Sequence, residues 1–494
     1  MGGGSAPEPT VVTDDGRAIW SVHGVRYDME KYVSEHPGGE IAIRLAQGID
    51  GTSLFQAYHP TGSNAFRVLD KYRLDQDGTL AASTSAKPAM PATSAFKHDL
   101  DEMVRRHFAG KGKWAHKASV SHKLLMASFL AVQLCCWVGW SRGSWLATFL
   151  LPVFFWLLAI NTSHDASHFA FSSRPWLNEL ATYTASPMLY EPITWYYQHV
   201  LSHHAHCNDV DADVDLQHFV PLRVHPGDSK PHPEGNSTPF DYLKIFIVGL
   251  HLTVGVPLFV GIEGAHAWYT ENFRPAIWEP IGLKATPKYR RRSLIGPALS
   301  VSVLLLSLFL HGIGGGLLRF AIPYAGVSLF FILCTQARTA PLRPVTSMPP
   351  PRPGMGAPTT TLPTLPTLTT ALLPTNLSPQ VSHIQPEVQQ AELQANPDFF
   401  KVQATTSCDY STSSQLCRVL TGGLNTQALH HSLPNVSCCH YTDLYPEFAA
   451  ICAKHGVVLS MRRSILHAAS TSARHVWKLN RGWGPPPLNV AAGA

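Results

Sequence analysis

The sequence predicts two joined architectures: a small α+β soluble head, followed by a mainly α-helical integral membrane domain of about four transmembrane helices plus an interfacial segment. Three observations carry this. Residues 18–78 are turn-rich and contain no long apolar run. Apolar stretches then occupy 124–140, 145–160, 243–262, 294–310 and 317–334, most of them long enough to cross a hydrocarbon core. Between head and stretches, residues 79–95 are rich in small residues and proline and lack periodicity, the composition of a flexible tether. The 494 residues exceed one ordinary domain, and 45% apolar with 14% charged residues fits a soluble part joined to a membrane part. The net charge of +5 is modest, and nothing interleaves basic with aromatic residues as a nucleic-acid surface would.

The first 17 residues form a tail with acids and no apolar core, which reads as neither a signal nor a transit peptide. Ala6 stands where a myristoylation signal needs Ser or Thr. The head carries Glu35-His36-Pro37-Gly38-Gly39-Glu40 and, later, Phe55-Gln56-Ala57-Tyr58-His59-Pro60. A Pro-Gly-Gly turn holds the preceding histidine on a rigid corner. His36 and His59 can therefore clamp a haem iron from both sides, although the motif alone also fits a plain loop. Ligation by two histidines leaves no position open to O2, so such a haem passes electrons. A tether would keep that donor at high effective concentration near its acceptor.

In the membrane part, Ser141-Arg142-Gly143-Ser144 makes a tight hairpin between the first two stretches, and Gly312 to Gly316 another between the last two. The segment 243–262 then lies in the interface or re-enters, so that the histidine boxes on either side of it share one face. Loop 263–293 carries Arg274, Lys284, Lys288, Arg290, Arg291 and Arg292, which places that face on the cytosolic side. This domain is expected over 96–470, with a tail at 471–494. Residues 338–379 interrupt it with eleven prolines between 341 and 379, a composition that cannot pack a core. A translated intron or a recent insertion would explain it.

Three histidine clusters follow apolar stretches or loops: His164 and His168; His199, His203 and His204; and Gln427, His430 and His431. Imidazole is a good neutral ligand for iron, and residues three or four apart on a helix share a face. A single such pair is usually a surface feature. Three on one membrane chain read as one polynuclear metal site assembled from distant segments. The nine cysteines have no CxxC spacing and do not suggest a disulfide framework; Cys135–Cys136 and Cys438–Cys439 read as packing residues.

HDASH, QHVLSHH and QALHH resemble the HxxxH, HxxxHH and QxxHH boxes of membrane-bound acyl desaturases, and Gln427 points to the front-end subgroup. The head resembles cytochrome b5 along its length, in Trp20, Val22 to Val25, Tyr27-Asp28, the HPGG corner, Gly48 to Thr52 and His59. What the resemblance implies is a haem b held by His36 and His59, with His23 outside the ligand set. It also implies two non-haem iron ions held by His164, His168, His199, His203, His204, His430 and His431, with His383 as an eighth ligand. Gln427 would hydrogen-bond a metal-bound water or ligate weakly, and Asp165 would accept a ligand's ring N–H. His206 and His218 read as interfacial. The run Asp209, Asp211, Asp213 and Asp215 either orients histidines or head groups, or is a solvated loop. The implied reaction uses O2 and electrons from NADH, passed by an NADH-cytochrome b5 reductase to the head, to place a cis double bond on the carboxyl side of existing ones. Its substrate would be a polyunsaturated acyl chain of a membrane lipid or acyl-CoA, with Δ5 or Δ4 favoured. The expected location is a multi-pass protein of the endoplasmic reticulum with its sites facing the cytosol; a plastid membrane is the other option. Alternatives are a sphingolipid long-chain-base desaturase and an inactive, membrane-tethered haem electron carrier. The third box departs from the family's common pattern, with Ala428 and Leu429 where Ile and Glu are usual, and so loses a carboxylate.

Overall fold

The computed structural model describes residues 18–74, 94–208, 213, 286–335 and 398–480. The tether, the 243–262 stretch, the 338–379 interruption, His218 and His383 lie outside the described residues.

The head is α+β. Strands β1 (Trp20–Val22) and β2 (Val25–Tyr27) pair antiparallel in the register Trp20↔Tyr27. His23 and Gly24 join them, both at positive φ, the geometry of a two-residue hairpin turn. Helices α1 (Glu40–Arg44), α2 (Thr52–Tyr58) and α3 (Asn64–Asp70) complete it. Trp20, Val22, Tyr27, Met29, Val33, Ile43 and Leu69 form its core. The Trp20 indole donates to the Ile43 carbonyl at 2.7 Å, which satisfies the one polar atom its burial would otherwise strand.

Helix α4 (Ala95–His107) begins the second domain, with Ser94 Oγ accepting from the Lys97 amide. Helices α5 (Val120–Ser141) and α6 (Trp145–Leu158) make the first predicted hairpin. Ser119 and Ser144 cap their N-termini, and leucines and valines such as Leu124, Leu134 and Val138 remain exposed on the outer face of α5, as a lipid-facing helix requires. A π-helical segment, Ala159–Ser163, runs from α6 into α7 (His164–Ser167). There follow α8 (Pro175–Thr182), α9 (Pro192–Trp195), a second π-helical segment (Tyr196–His203) and α10 (Pro287–Arg292).

Helix α11 (Ile295–Thr335) is broken at Gly312, whose φ of 69° and ψ of 176° are not helical. The chain doubles back there: Ser307 Oγ donates to the Gly316 carbonyl at 2.8 Å, two residues that a straight helix would hold far apart. This is the second predicted hairpin. Among the described residues, three helices are long and apolar enough to cross a membrane, the last of them being this bent one. The α+β head followed by a helical membrane domain is therefore the observed architecture.

The remainder is α12 (Phe399–Thr405), β3 (Cys408–Tyr410), α13 (Gln415–Thr421), α14 (Gln427–Ser432), α15 (Tyr441–Lys454), β4 (Ser460–Arg462) and α16 (Ile465–Asn480). Strands β3 and β4 pair in parallel. Two apolar clusters position the site. One joins α5, α6 and α11 through Trp140, Phe155, Trp156, Phe320 and Tyr324. The other packs α4, α14 and α15 together through Leu100, Ala428, Leu429, Tyr441 and Phe448. Gly422 permits their junction: at φ 60° it lies so close to the Ile160 carbonyl that a Cβ would stand 2.4 Å from that oxygen.

The head is seated on the membrane domain. Ile41, Leu45 and Leu54 share an apolar cluster with Phe169, Ile193, Tyr196, Val200 and Tyr289. Glu40 accepts from Lys288 Nζ at 3.0 Å and from the Tyr289 hydroxyl at 2.9 Å, and Asp101 accepts from the Thr61 amide and hydroxyl, both at 2.9 Å.

Candidate metal centre

The three boxes come from three local structures that are well separated in the sequence. His164 opens α7 and His168 ends it; His199 and His203 lie in the second π-helical segment with His204 just past it; His430 and His431 sit on α14. A π-helical turn widens the spacing of side chains and recurs at functional sites; the first box follows one directly and the second lies in one. All seven histidines are buried, none more than 5% exposed.

They converge. Ring nitrogens of His164, His168, His199 and His430 lie within 4.8 Å of one another, and His203, His431 and Cys207 form a second such group. His164 Nε2 and His199 Nε2 are 3.0 Å apart. His204 stacks on His431 with ring centroids 4.1 Å apart, and faces His168 at 4.4 Å and His430 at 4.8 Å, so it stands between the two groups. Metal–imidazole bonds are about 2 Å long, so each group comes close to the span of one ion's ligand shell. His168 Nε2 and both ring nitrogens of His204 have no hydrogen-bond partner among the described residues. Orphaned buried donors of this type are what a metal would satisfy. Burial, and then the neighbouring rings, hold His168, His199 and His204 well below the ordinary histidine value, which keeps them neutral as ligation requires.

The grouping differs from a face-by-face reading of the boxes. His199 and His203, four apart, divide between the two groups, and so do the adjacent His430 and His431. On α14 successive side chains diverge by about 100°. One short helix therefore feeds both positions.

Residues outside the boxes hold the rings. His203 Nδ1 donates to both carboxylate oxygens of Asp213 at 3.1 Å. His431 Nδ1 donates to Gln403 Oε1 at 2.8 Å, while Gln403 Nε2 donates to the His204 carbonyl at 3.0 Å. His430 Nδ1 shares a hydrogen bond with the Tyr441 hydroxyl at 3.0 Å, and Trp195 stacks on His199 at 4.4 Å. The hydrogen bonds occupy Nδ1 of His203, His430 and His431 and leave their Nε2 atoms for a metal. Asp165 does not take a ring N–H as the sequence suggested. It accepts from Ser437 Oγ and from the Cys438 amide, and so ties the first box to the loop after the third. His122, Asp165 and Cys438 are a third buried set of metal-type donors, but those hydrogen bonds already engage Asp165.

Gln427 is buried at the start of α14, whose first amides are capped by Asp409. Burial raises the Asp409 carboxyl to about 7. Ala428 and Leu429, the two departures in the third box, are fully buried in the apolar cluster with Leu100 and Phe448, facing away from the rings. His206 follows the second box at intermediate exposure.

Residues 139–463 match the model of the fatty acid desaturase family, and residues 11–81 match that of the cytochrome b5-like heme/steroid binding domain. The chain belongs to the fatty acid desaturase family. It is an oxidoreductase with a cytochrome b5-like head. An acyl-lipid omega-13 desaturase of Chlamydomonas reinhardtii is 28% identical, covering 94% of this chain and 93% of its own. A Delta(5) fatty acid desaturase A of Dictyostelium discoideum is 24% identical over 93% of this chain and 90% of its own. An acyl-lipid (8-3)-desaturase of Mortierella alpina is 25% identical over 93% of each.

In the desaturase's head, the His36 and His59 rings face one another with centroids 6.2 Å apart. Two metal–nitrogen bonds of about 2 Å, plus the two half-rings, fill that distance. His59 Nδ1 donates to the Phe55 carbonyl at 2.9 Å, and His36 Nδ1 lies 3.3 Å from the Gly39 carbonyl, which leaves both Nε2 atoms for the haem iron. Burial lowers His59 to about 4, so its ring stays neutral, as ligation would require.

Proposed function

We propose that this desaturase is a front-end enzyme. It would introduce a cis double bond on the carboxyl side of existing ones in a polyunsaturated acyl chain, at Δ5 or Δ4. A methylene C–H offers no acidity and no leaving group, so acid–base pairs or an activated nucleophile have nothing to work on. Two bound non-haem irons would supply the O2 chemistry that removes its hydrogens. The residues contribute position: the His164, His168, His199 and His430 group would hold one ion, and His203 with His431 the other, with His204 between and Cys207 beside the second. Gln403, Asp213 and Tyr441 fix the rings. His383 remains a proposed further ligand and Gln427 a proposed partner of metal-bound water.

The observation that carries this reading is the convergence of seven buried histidines from three boxes directly beneath a seated haem-type head. The head would deliver electrons from an NADH-dependent cytochrome b5 reductase, and the cytosolic face of the endoplasmic reticulum would bring that reductase and the lipid together. The relatives' names support the position. In an eighteen-carbon chain an omega-13 bond and a Δ5 bond are the same bond. The test is to express the full chain in a host lacking polyunsaturated fatty acids, feed a panel of them, and locate new double bonds by mass spectrometry. A bond on the carboxyl side, lost in His36→Ala and His431→Ala, is expected. A new bond only in long-chain bases, or none in any acyl chain, would overturn the reading.

A further inference from the structure

Tyr58 is the last residue of α2 and is bonded directly to His59, the expected haem ligand. Its hydroxyl crosses the boundary between head and membrane domain and lies 2.8 Å from His168 Nδ1. That leaves His168 Nε2, the orphaned nitrogen, facing the ring cluster. Three further contacts hold the tyrosine in place. Asn435, just past the third box, donates to the Tyr58 carbonyl at 3.3 Å. Phe169, the residue after His168, meets its ring edge-on at 5.8 Å. Thr61, three residues on, is anchored on Asp101. The path from the His59 ring to the His168 ring thus runs through one peptide unit and one tyrosine side chain, with a single non-covalent step. The two ends of that path belong to two different metal sites.

We propose that Tyr58 is the positioning residue that couples the haem to the non-haem iron pair, through its hydrogen bond to His168. The inference rests on the reading of the head as electron donor. One electron leaves the reduced haem, which is oxidised, and enters the non-haem iron site, which is reduced by one. No bond is made or broken, and Tyr58 keeps its proton, serving as a bridge and not as a redox intermediate. Electrons tunnel more readily through bonds and short hydrogen bonds than across gaps. The hydroxyl is therefore the atom that matters, more than the ring.

The test uses the full-length holoprotein, reduced with dithionite without O2, then mixed with oxygenated buffer while the haem absorbance is followed by stopped flow. Wild type is measured with its non-haem iron and after that iron is stripped by a chelator; the difference is the iron-dependent phase. In Tyr58→Phe this phase should slow about 10-fold, the lower end of what losing a group bonded to a metal-ligating histidine does. Haem content, haem midpoint potential and non-haem iron content should match wild type. An unchanged phase with unchanged metal content overturns the proposal. Should Tyr58→Phe shed iron, Thr61→Val carries the test. It loosens the same segment without touching a metal ligand and should also slow the phase at full iron content, and an unchanged rate there overturns the proposal. A wild-type protein with no iron-dependent phase at all would instead refute the electron-donor reading on which this one stands.

Discussion

Gln403 is 1% exposed and bonds two boxes at once, accepting a hydrogen bond from His431 Nδ1 and donating to the His204 carbonyl. Gln403→Leu keeps much of the volume and removes both partners. Each buried polar group left unsatisfied costs about 1–3 kcal/mol, so the folded state should lose about 2 kcal/mol at least. The His431 ring would also lose the bond that fixes its orientation and tautomer, an effect worth about 10–100-fold in metal affinity. Gln403→Glu separates the two effects: it still accepts from His431 but cannot donate to the carbonyl. The assay is the rate at which a ferrous chelator strips non-haem iron from purified protein, together with the thermal midpoint. Gln403→Leu should lose iron at least about 10-fold faster, with Gln403→Glu closer to wild type in iron loss yet still less stable. Wild-type chelation kinetics in Gln403→Leu would refute the view that this residue holds the second group of ligands.

Asp213→Asn keeps the shape and an acceptor beside His203 but removes the charge, and should loosen iron about 10-fold, read by the same chelation assay. Asp409 gives a pH signature. Its folded pKa, raised by burial from 3.8 to about 7, means the folded state carries a proton there that the unfolded state lacks. Its contribution is therefore full below the unfolded value and falls by about 1.4 kcal/mol per pH unit as pH rises toward the folded value. Asp409→Asn does not titrate, so the wild-type-minus-variant stability should decline through that window, and parallel pH curves would contradict the assignment. Deleting residues 338–379 should leave folding and iron content intact. The end of α11 already meets the segment beyond the interruption, with the Tyr410 hydroxyl donating to the Cys334 carbonyl at 3.2 Å. Loss of iron on deletion, by metal analysis, would refute that.

The fold was legible wherever a signal is local. HPGG, the apolar runs at 124–140, 145–160, 294–310 and 317–334, the Ser141–Ser144 turn and the break at Gly312 each depend on a few adjacent residues, and each is where the sequence placed it. The histidine boxes were legible for the same reason, since residues sharing one helical face repeat at three or four. What binds the boxes together was not. Gln403 sits on α12, far before the third box, and Tyr441 beyond it, and neither has a periodic or compositional mark. Cys207 looked like one more scattered cysteine until α14 approached it. Asp213 was one of four alternating acids, and only tertiary packing shows that it bonds His203. The division of His199 from His203 was hidden by assuming an α-helical turn where the backbone is π-helical. Tyr58 was read as part of the haem motif, and its partner lies more than a hundred residues away on another domain.

Metal stoichiometry of the purified full-length chain tests the central claim most directly. Haem is measured optically and total iron by mass spectrometry. The account predicts two non-haem irons for each haem, with non-haem iron falling away in His204→Ala while haem stays at wild-type level. Haem at full occupancy with no non-haem iron in the wild-type chain would contradict it, and would leave a membrane-tethered electron carrier in its place.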